Sequence, residues 1–147
     1  MMSEQAKKVL NLLSVVIPAR DEMGCIASTV EQLHLELSLK KIPREIVVVD
    51  DGSTDRTWGI LQDCTKTDEA PRPVKNPAPH GFGRTIVRGL DTMTGDAVVI
   101  IMPDESYDCR DVVRYWEKLN EGYDRVFGSR FLKGGGTIDY PPTKWRD

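Results

Sequence analysis

Short runs of apolar residues alternate along this chain with longer stretches whose apolar residues recur every three or four positions. The clearest runs are Leu12 to Ile17, Glu45 to Val49 and Ala97 to Met102, with a fourth and shorter one at Arg125 to Phe127. Nearly continuous apolar character over so few residues predicts parallel strands covered on both faces. A weaker strand is expected near Val74, where Pro71, Pro73, Pro77 and Pro79 blur its limits. Between the runs, Ile26, Val30, Leu33 and Leu37 fall on one stripe of a helix. Phe82, Ile86, Leu90 and Met93 suggest a second stripe, and Val112, Trp116 and Leu119 a third. Asp108 stands where a helix N-cap would sit, with Asp111 placed to favour the positive end of the helix dipole. Strand and helix alternating through short links predict an α/β fold, an open and mostly parallel sheet with right-handed crossovers and helices on both faces.

The polar residues collect where those strands finish. Pro18-Ala19-Arg20-Asp21-Glu22 follows the first run, and Asp50-Asp51-Gly52-Ser53-Thr54-Asp55 follows the second. Pro103-Asp104-Glu105 follows the third, and Ser129-Arg130 the fourth. Open α/β sheets bind ligands beyond the carboxyl ends of their strands, so four such clusters favour a binding edge over a set of ordinary turns. A carboxylate at a strand tip, Asp50 or Asp51, would accept an N–H from a nucleobase. A diphosphate needs countercharge, from arginine or from a divalent ion held by carboxylate oxygens. Gly52, Ser53 and Thr54 also suit a helix cap before Trp58 and Leu61, and the two readings are compatible: Ser53 or Thr54 capping, an aspartate facing the ligand.

Composition narrows the choice. The chain has 147 residues, 39% hydrophobic and 29% charged, enough for one domain with a real core. Its net charge is -3 without a basic block, which gives no reason to propose a nucleic-acid partner. Cys25, Cys64 and Cys109 are an odd set without CxxC spacing and read as reduced thiols of a cytoplasmic protein. No apolar run approaches the roughly 18 residues that cross a bilayer, and Met1 to Lys8 lacks the apolar core of a signal peptide. Any work at a membrane would then be peripheral, on its cytoplasmic face, with the anchor elsewhere. His34 and His80 have no partner in spacing for a metal or a triad and read as structural or incidental.

Several strings resemble those of family 2 glycosyltransferases of the GT-A fold, in particular the group of dolichol-phosphate mannose synthases. Leu13 to Glu22 is similar to the family's SVVIPAYNE opening, and Ile46 to Asp55 (IVVVDDGSTD) to its VVDDGSxD segment. His80 to Leu90 (HGFGRTIVRGL) resembles the family's GxxxAxxxG helix, and Gly128 to Gly135 (GSRFLKGG) its GSRFvkGG string. The matches keep the family's order. The resemblance implies an inverting sugar transfer from a GDP- or UDP-sugar to an acceptor, with a polyprenyl phosphate at a membrane surface as one candidate. It implies that Pro18, Arg20, Glu22 and Asp51 line the nucleoside pocket. Arg130 would face the diphosphate or the acceptor phosphate, with Lys144 a weaker second cation, while Arg88 reads as a structural or merely solvent-facing helix residue.

The chain departs from the pattern in two places. Where the family has Asp-x-Asp, this sequence reads Met102-Pro103-Asp104, and a thioether is a poor ligand for magnesium or manganese. Asp104 is left as the expected metal ligand and catalytic carboxylate for Mg2+ or Mn2+, sharing the ion with diphosphate and water. The family's catalytic region also continues beyond the last string matched here. The expectation is a single nucleotide-sugar-binding domain over residues 1–147 that stops before the acceptor-binding part. A non-catalytic nucleotide-sugar-binding module is the main alternative. A phospho-acceptor receiver domain fits less well, because its acidic pair follows the first strand. A dinucleotide oxidoreductase would need a GxGxxG that is missing here.

Overall fold

The computed structural model describes residues 9–66, 71–104 and 107–128. Four strands form one sheet: β1 (Leu13–Ala19), β2 (Arg44–Asp50), β3 (Arg72–Lys75) and β4 (Ala97–Ile100), in the order β3-β2-β1-β4. Every pairing is parallel, with Val16 opposite Val47 and Ile100 and Asp50 opposite Lys75. The helices are α1 (Ile26–Leu39), α2 (Thr57–Cys64), α3 (Phe82–Thr92) and α4 (Cys109–Asn120).

Side chains alternate across a strand, so β1 serves two layers. Leu13, Val15, Ile17 and Ala19 join Ile46 and Val48 of β2 in the main core. Ile26, Val30, Leu33 and Leu37 of α1, Leu61 of α2, and Val112 and Val113 of α4 belong to it as well. The stripe read for α1 is therefore the buried one, and each fully buried leucine or isoleucine contributes about 1.5–3 kcal/mol. Asp108 caps α4 as expected, accepting from Arg110 N at 2.9 Å.

The opposite face of the sheet is covered by α3, and here the stripe differs from expectation. Its buried residues are Thr85 and Gly89, while Leu90 is exposed. A Cβ at Gly89 would collide with Val16 Cγ1 and come within 3.3 Å of Val49 Cγ2. Small residues let this helix lie close on the strands, so its contact face is not its most hydrophobic one.

Two strand readings also change. Arg125 to Phe127 forms no strand; residues 124–128 line a cavity together with Val98, Val99 and Ile100, and Phe127 is 84% exposed. β4 ends at Ile100 and not at Met102. The cause is a missing pair of donors. In this register Ile101 N still donates to Val16 O at 3.1 Å. The next two ladder donors between β1 and β4 would be the nitrogens of Pro18 and Pro103, and neither carries a hydrogen. The ladder stops there.

Candidate nucleotide-binding edge

From β1 the chain steps outward to β2 and β3, then returns to place β4 on the other side of β1. The strand order thus reverses between β1 and β4, the position at which open α/β sheets carry their ligand crevice. The halted proline ladder lies at the carboxyl end of that same strand pair. Ala19 to Glu22 leave on one side and Ile101 to Asp104 on the other, with Thr29 Oγ1 of α1 donating to Pro103 O at 3.1 Å.

The loops after β1 and β2 are stitched into one unit. Asp21, at φ 51°, accepts from Thr54 N at 2.8 Å and donates its own N–H to Ser53 Oγ at 2.9 Å. Glu22 N donates to Thr57 Oγ1 at 2.9 Å, and Glu22 O accepts from Ile26 N at 2.9 Å, which opens α1. Asp55 accepts from Thr57 N at 2.9 Å and Met23 N at 3.3 Å. The start of α2 is therefore held by Asp55, not by Ser53 or Thr54: Ser53 donates to Asp50 Oδ1, and Thr54 is engaged with Asp21. Arg20 is exposed beside this unit, Glu22 is half-buried and Pro18 is buried.

Asp50 and Asp51 are 3% and 0% exposed. Asp51 Oδ1 accepts from Asn76 Nδ2 and from His80 Nδ1, both at 2.9 Å, and Oδ2 accepts from Gly81 N at 3.0 Å. Burial alone would raise its pKa. The Asn76, His80 and Gly81 donors outweigh burial and hold the carboxyl below the ordinary aspartate value. Asp51 is thus an ionised anchor tying the end of β2 to the end of β3 and the start of α3. The His80 ring lies against Gly52, whose φ of +70° and lack of a Cβ make room for it: a Cβ there would sit 2.7 Å from His80 Nε2. Lys75, at the tip of β3 opposite Asp50, lies 4.6 Å from the centroid of Trp58.

Of the residues singled out from sequence, Pro18, Arg20, Glu22, Asp50, Asp51 and Asp104 all sit at the carboxyl edge of the sheet. Arg130, Lys144 and Glu105 lie outside the described residues. Arg88 is exposed on α3, and His34 belongs to the opposite end of the sheet, where Arg44 donates to its Nδ1 at 3.0 Å. His80, read from sequence as structural or incidental, is partnered by Asp51, and Asn76 and Lys75 were not anticipated. The rule that polar residues gather after strands would have found them had the limits of the proline-flanked β3 been legible. Among the described residues no three His, Cys, Asp or Glu side chains converge on a metal position, and Asp104 is exposed. The donor set fits a divalent ion only when a bound ligand supplies most of the oxygens. Among the described residues no helix is long and apolar enough to cross a membrane.

Comparison with known proteins agrees with this geometry. The sequence model described as glycosyl transferase family 2 matches residues 14–146. A dolichol-phosphate mannosyltransferase of Pyrococcus furiosus is 29% identical over 131 residues, 88% of this chain and 36% of that protein. An uncharacterized glycosyltransferase of Synechocystis is 31% identical over 125 residues, 85% of this chain and 39% of its own length. The chain therefore spans little more than a third of the curated relatives it matches. Among solved structures, a mannosyltransferase from Pyrobaculum calidifontis in complex with GDP-Man and Mn2+ superposes with a TM-score of 0.60 and 26% identity. That match covers 69% of this chain and 30% of the other. Glucosyl-3-phosphoglycerate synthase of Mycobacterium tuberculosis, in complex with Mn2+, UDP and glucosyl-3-phosphoglycerate, gives 0.61 and 27%, covering 76% and 40%. The motifs, the parallel sheet with its switch point, and the family match all lead to one assignment: the chain belongs to glycosyltransferase family 2 and has the GT-A fold of its structural neighbours.

Proposed function

We propose that this region binds a nucleoside diphosphate sugar across the carboxyl edge of its sheet, and that the protein it represents transfers the sugar to an acceptor with inversion. The observation that carries the reading is the switch point between β1 and β4. The paired register ends there at Pro18 and Pro103, with Arg20 and Glu22 following β1 and Asp104 following β4. The nucleoside would rest against Pro18, Glu22 and the Asp50–Gly52 turn, held in shape by the Asp51 anchor. Arg20, and Arg130 beyond the described residues, would supply countercharge to the diphosphate.

In the transfer, an acceptor oxygen forms a bond to the anomeric carbon while the bond from that carbon to the diphosphate oxygen breaks. The nucleoside diphosphate leaves with the electron pair. Its growing negative charge is what the site must stabilise. Mg2+ or Mn2+, bound with the diphosphate, would add countercharge there, and Asp104 is the described residue that would help hold it. The name of the Pyrococcus relative favours a polyprenyl phosphate as acceptor. Such an acceptor is already anionic near neutral pH, so the step needs no strong general base. Met102 in place of the first acid of the metal motif favours a second reading, a module that binds the donor without transferring the sugar.

A thermal-shift panel of GDP, UDP, GDP-mannose and UDP-glucose, with and without Mn2+, tests the binding. One nucleotide at a hundred times its Kd should raise Tm by about 5–10 °C. A flat panel contradicts the proposal. Release of nucleoside diphosphate in the presence of a polyprenyl phosphate separates transfer from binding alone.

A further inference from the structure

We propose that His80 is a nucleoside-reading residue of this edge, and that Asp51 is the positioning residue that sets its imidazole for the task. The inference rests on the nucleotide-binding reading above. The carboxylate just past β2 cannot itself face a ligand: Asp51 is fully buried and both its oxygens are occupied by protein donors. One of those donors is His80, which stands between Asp51 and solvent with 36% of its side chain exposed. Of the two neutral tautomers, a carboxylate 2.9 Å from Nδ1 selects the one with its proton on that nitrogen, in which Nε2 is an acceptor. Among the described residues no protein donor is assigned to Nε2. The ring cannot swing freely, since Asp51 fixes one edge and Gly52 backs its face. Carboxylates behind metal-ligating imidazoles fix tautomer and ring orientation in the same way. The result is one fixed acceptor on a partly exposed side chain beside the Asp50–Gly52 turn. It suits an N–H of a base or an O–H of a ribose.

The chain contains two histidines, and His34, paired with Arg44 at the far end of the sheet, is an internal reference. Long-range 1H–15N spectra of the full chain, titrated with GDP and then UDP in the presence of Mg2+, should show the His80 Nε2 signal moving. His80 Nδ1 and both His34 nitrogens should stay near their starting positions. Calorimetry in the same samples reports whether nucleotide binds at all. H80N places an amide donor where Nδ1 was, so it can keep the Asp51 bond but loses Nε2. It should retain the wild-type Tm to within a few degrees while binding nucleotide about three- to tenfold more weakly. H80Q, whose amide reaches the Nε2 position, should recover part of that affinity at some cost in Tm. N1-methyl-GDP and 2′-deoxy-GDP then tell a base donor from a ribose donor: only the analogue lacking the recognised hydrogen loses the difference between wild type and H80N. Nucleotide binding that leaves His80 Nε2 unmoved would overturn this inference and spare the nucleotide reading, even if H80N fails to fold. Absence of any binding by calorimetry would overturn both.

Discussion

Replacing Asp51 by asparagine removes one charge and leaves the volume unchanged, so its cost reports the value of the anchor at the end of β2. In the native arrangement Oδ1 serves two donors, Asn76 Nδ2 and His80 Nδ1, and Oδ2 serves Gly81 N. An asparagine would keep its carbonyl where two donors converge, which turns its NH2 toward Gly81 N. One buried N–H then faces another and has no acceptor, a loss of about 1–3 kcal/mol. The two surviving bonds also become neutral ones, weaker than bonds to a carboxylate. The sum is about 2–4 kcal/mol, which for a domain of this size lowers Tm by roughly 5–15 °C. Urea unfolding followed by far-UV circular dichroism at pH 7 measures it. The midpoint should fall with little change in slope, because the same surface is exposed on unfolding. A D51N midpoint within the equivalent of about 0.5 kcal/mol of wild type would mean that Asp51 is not the buried, saturated anchor described above.

Other consequences follow from particular contacts. G89A should lose about 1–3 kcal/mol by pressing α3 off Val16 and Val49, and the G89A/V16A double variant should lose less than the sum of the two singles in urea melts. E45Q should cost about 1–2 kcal/mol, since the Glu45 carboxylate gathers Ser14 Oγ at 2.7 Å, Thr94 Oγ1 at 3.0 Å and Arg72 at 3.2 Å. Burial raises the pKa of Glu45, but its bonds to Thr94 and Ser14 and the charge of Arg72 bring it below the usual value of 4.5, as the donors on Asp51 bring that group below 3.8. Depressed carboxylates contribute fully above their unfolded values and lose that contribution as pH falls through the folded ones. Acid titration of the unfolding midpoint should accordingly show their effect only below about pH 4.5, and the E45Q/D51N double variant should lose that part of the slope. D104N should reduce the Mn2+-dependent part of nucleotide binding in calorimetry and leave the metal-independent part in place; equal losses with and without Mn2+ would deny Asp104 a share in holding the ion.

The parallel strands and α1 were legible because their signals are local. Apolar runs such as Val15 to Ile17 and Val47 to Val49 are buried on both sides, and Ile26, Val30, Leu33 and Leu37 fill the stripe that periodicity assigns them. The stripe of α3 was misread because helix-to-sheet distance, not hydrophobicity, selects its inner face, and Gly89 and Thr85 carry no such signal in a one-dimensional pattern. The carboxyl edge was legible as a concentration of polar residues after strands. Its internal division of labour was not. Asp51 looks like a ligand-facing acid in IVVVDDGSTD, and only the three-dimensional arrangement shows that Asn76 and His80, 25 and 29 residues further along, occupy it. The role of Pro18 was hidden for the same reason: its missing N–H matters only because β4 lies alongside and is followed by Pro103 at the matching step.

Hydrogen exchange followed by mass spectrometry, with and without the nucleotide selected by the thermal panel, asks most directly where a sugar donor settles. Amides of Ala19 to Met23, Asp50 to Ser53 and Ile101 to Asp104 should gain protection together. Protection confined to the far end of the sheet, around Ile42 to Glu45 and Gly95 to Asp96, would contradict a binding crevice at the carboxyl ends of β1 and β4.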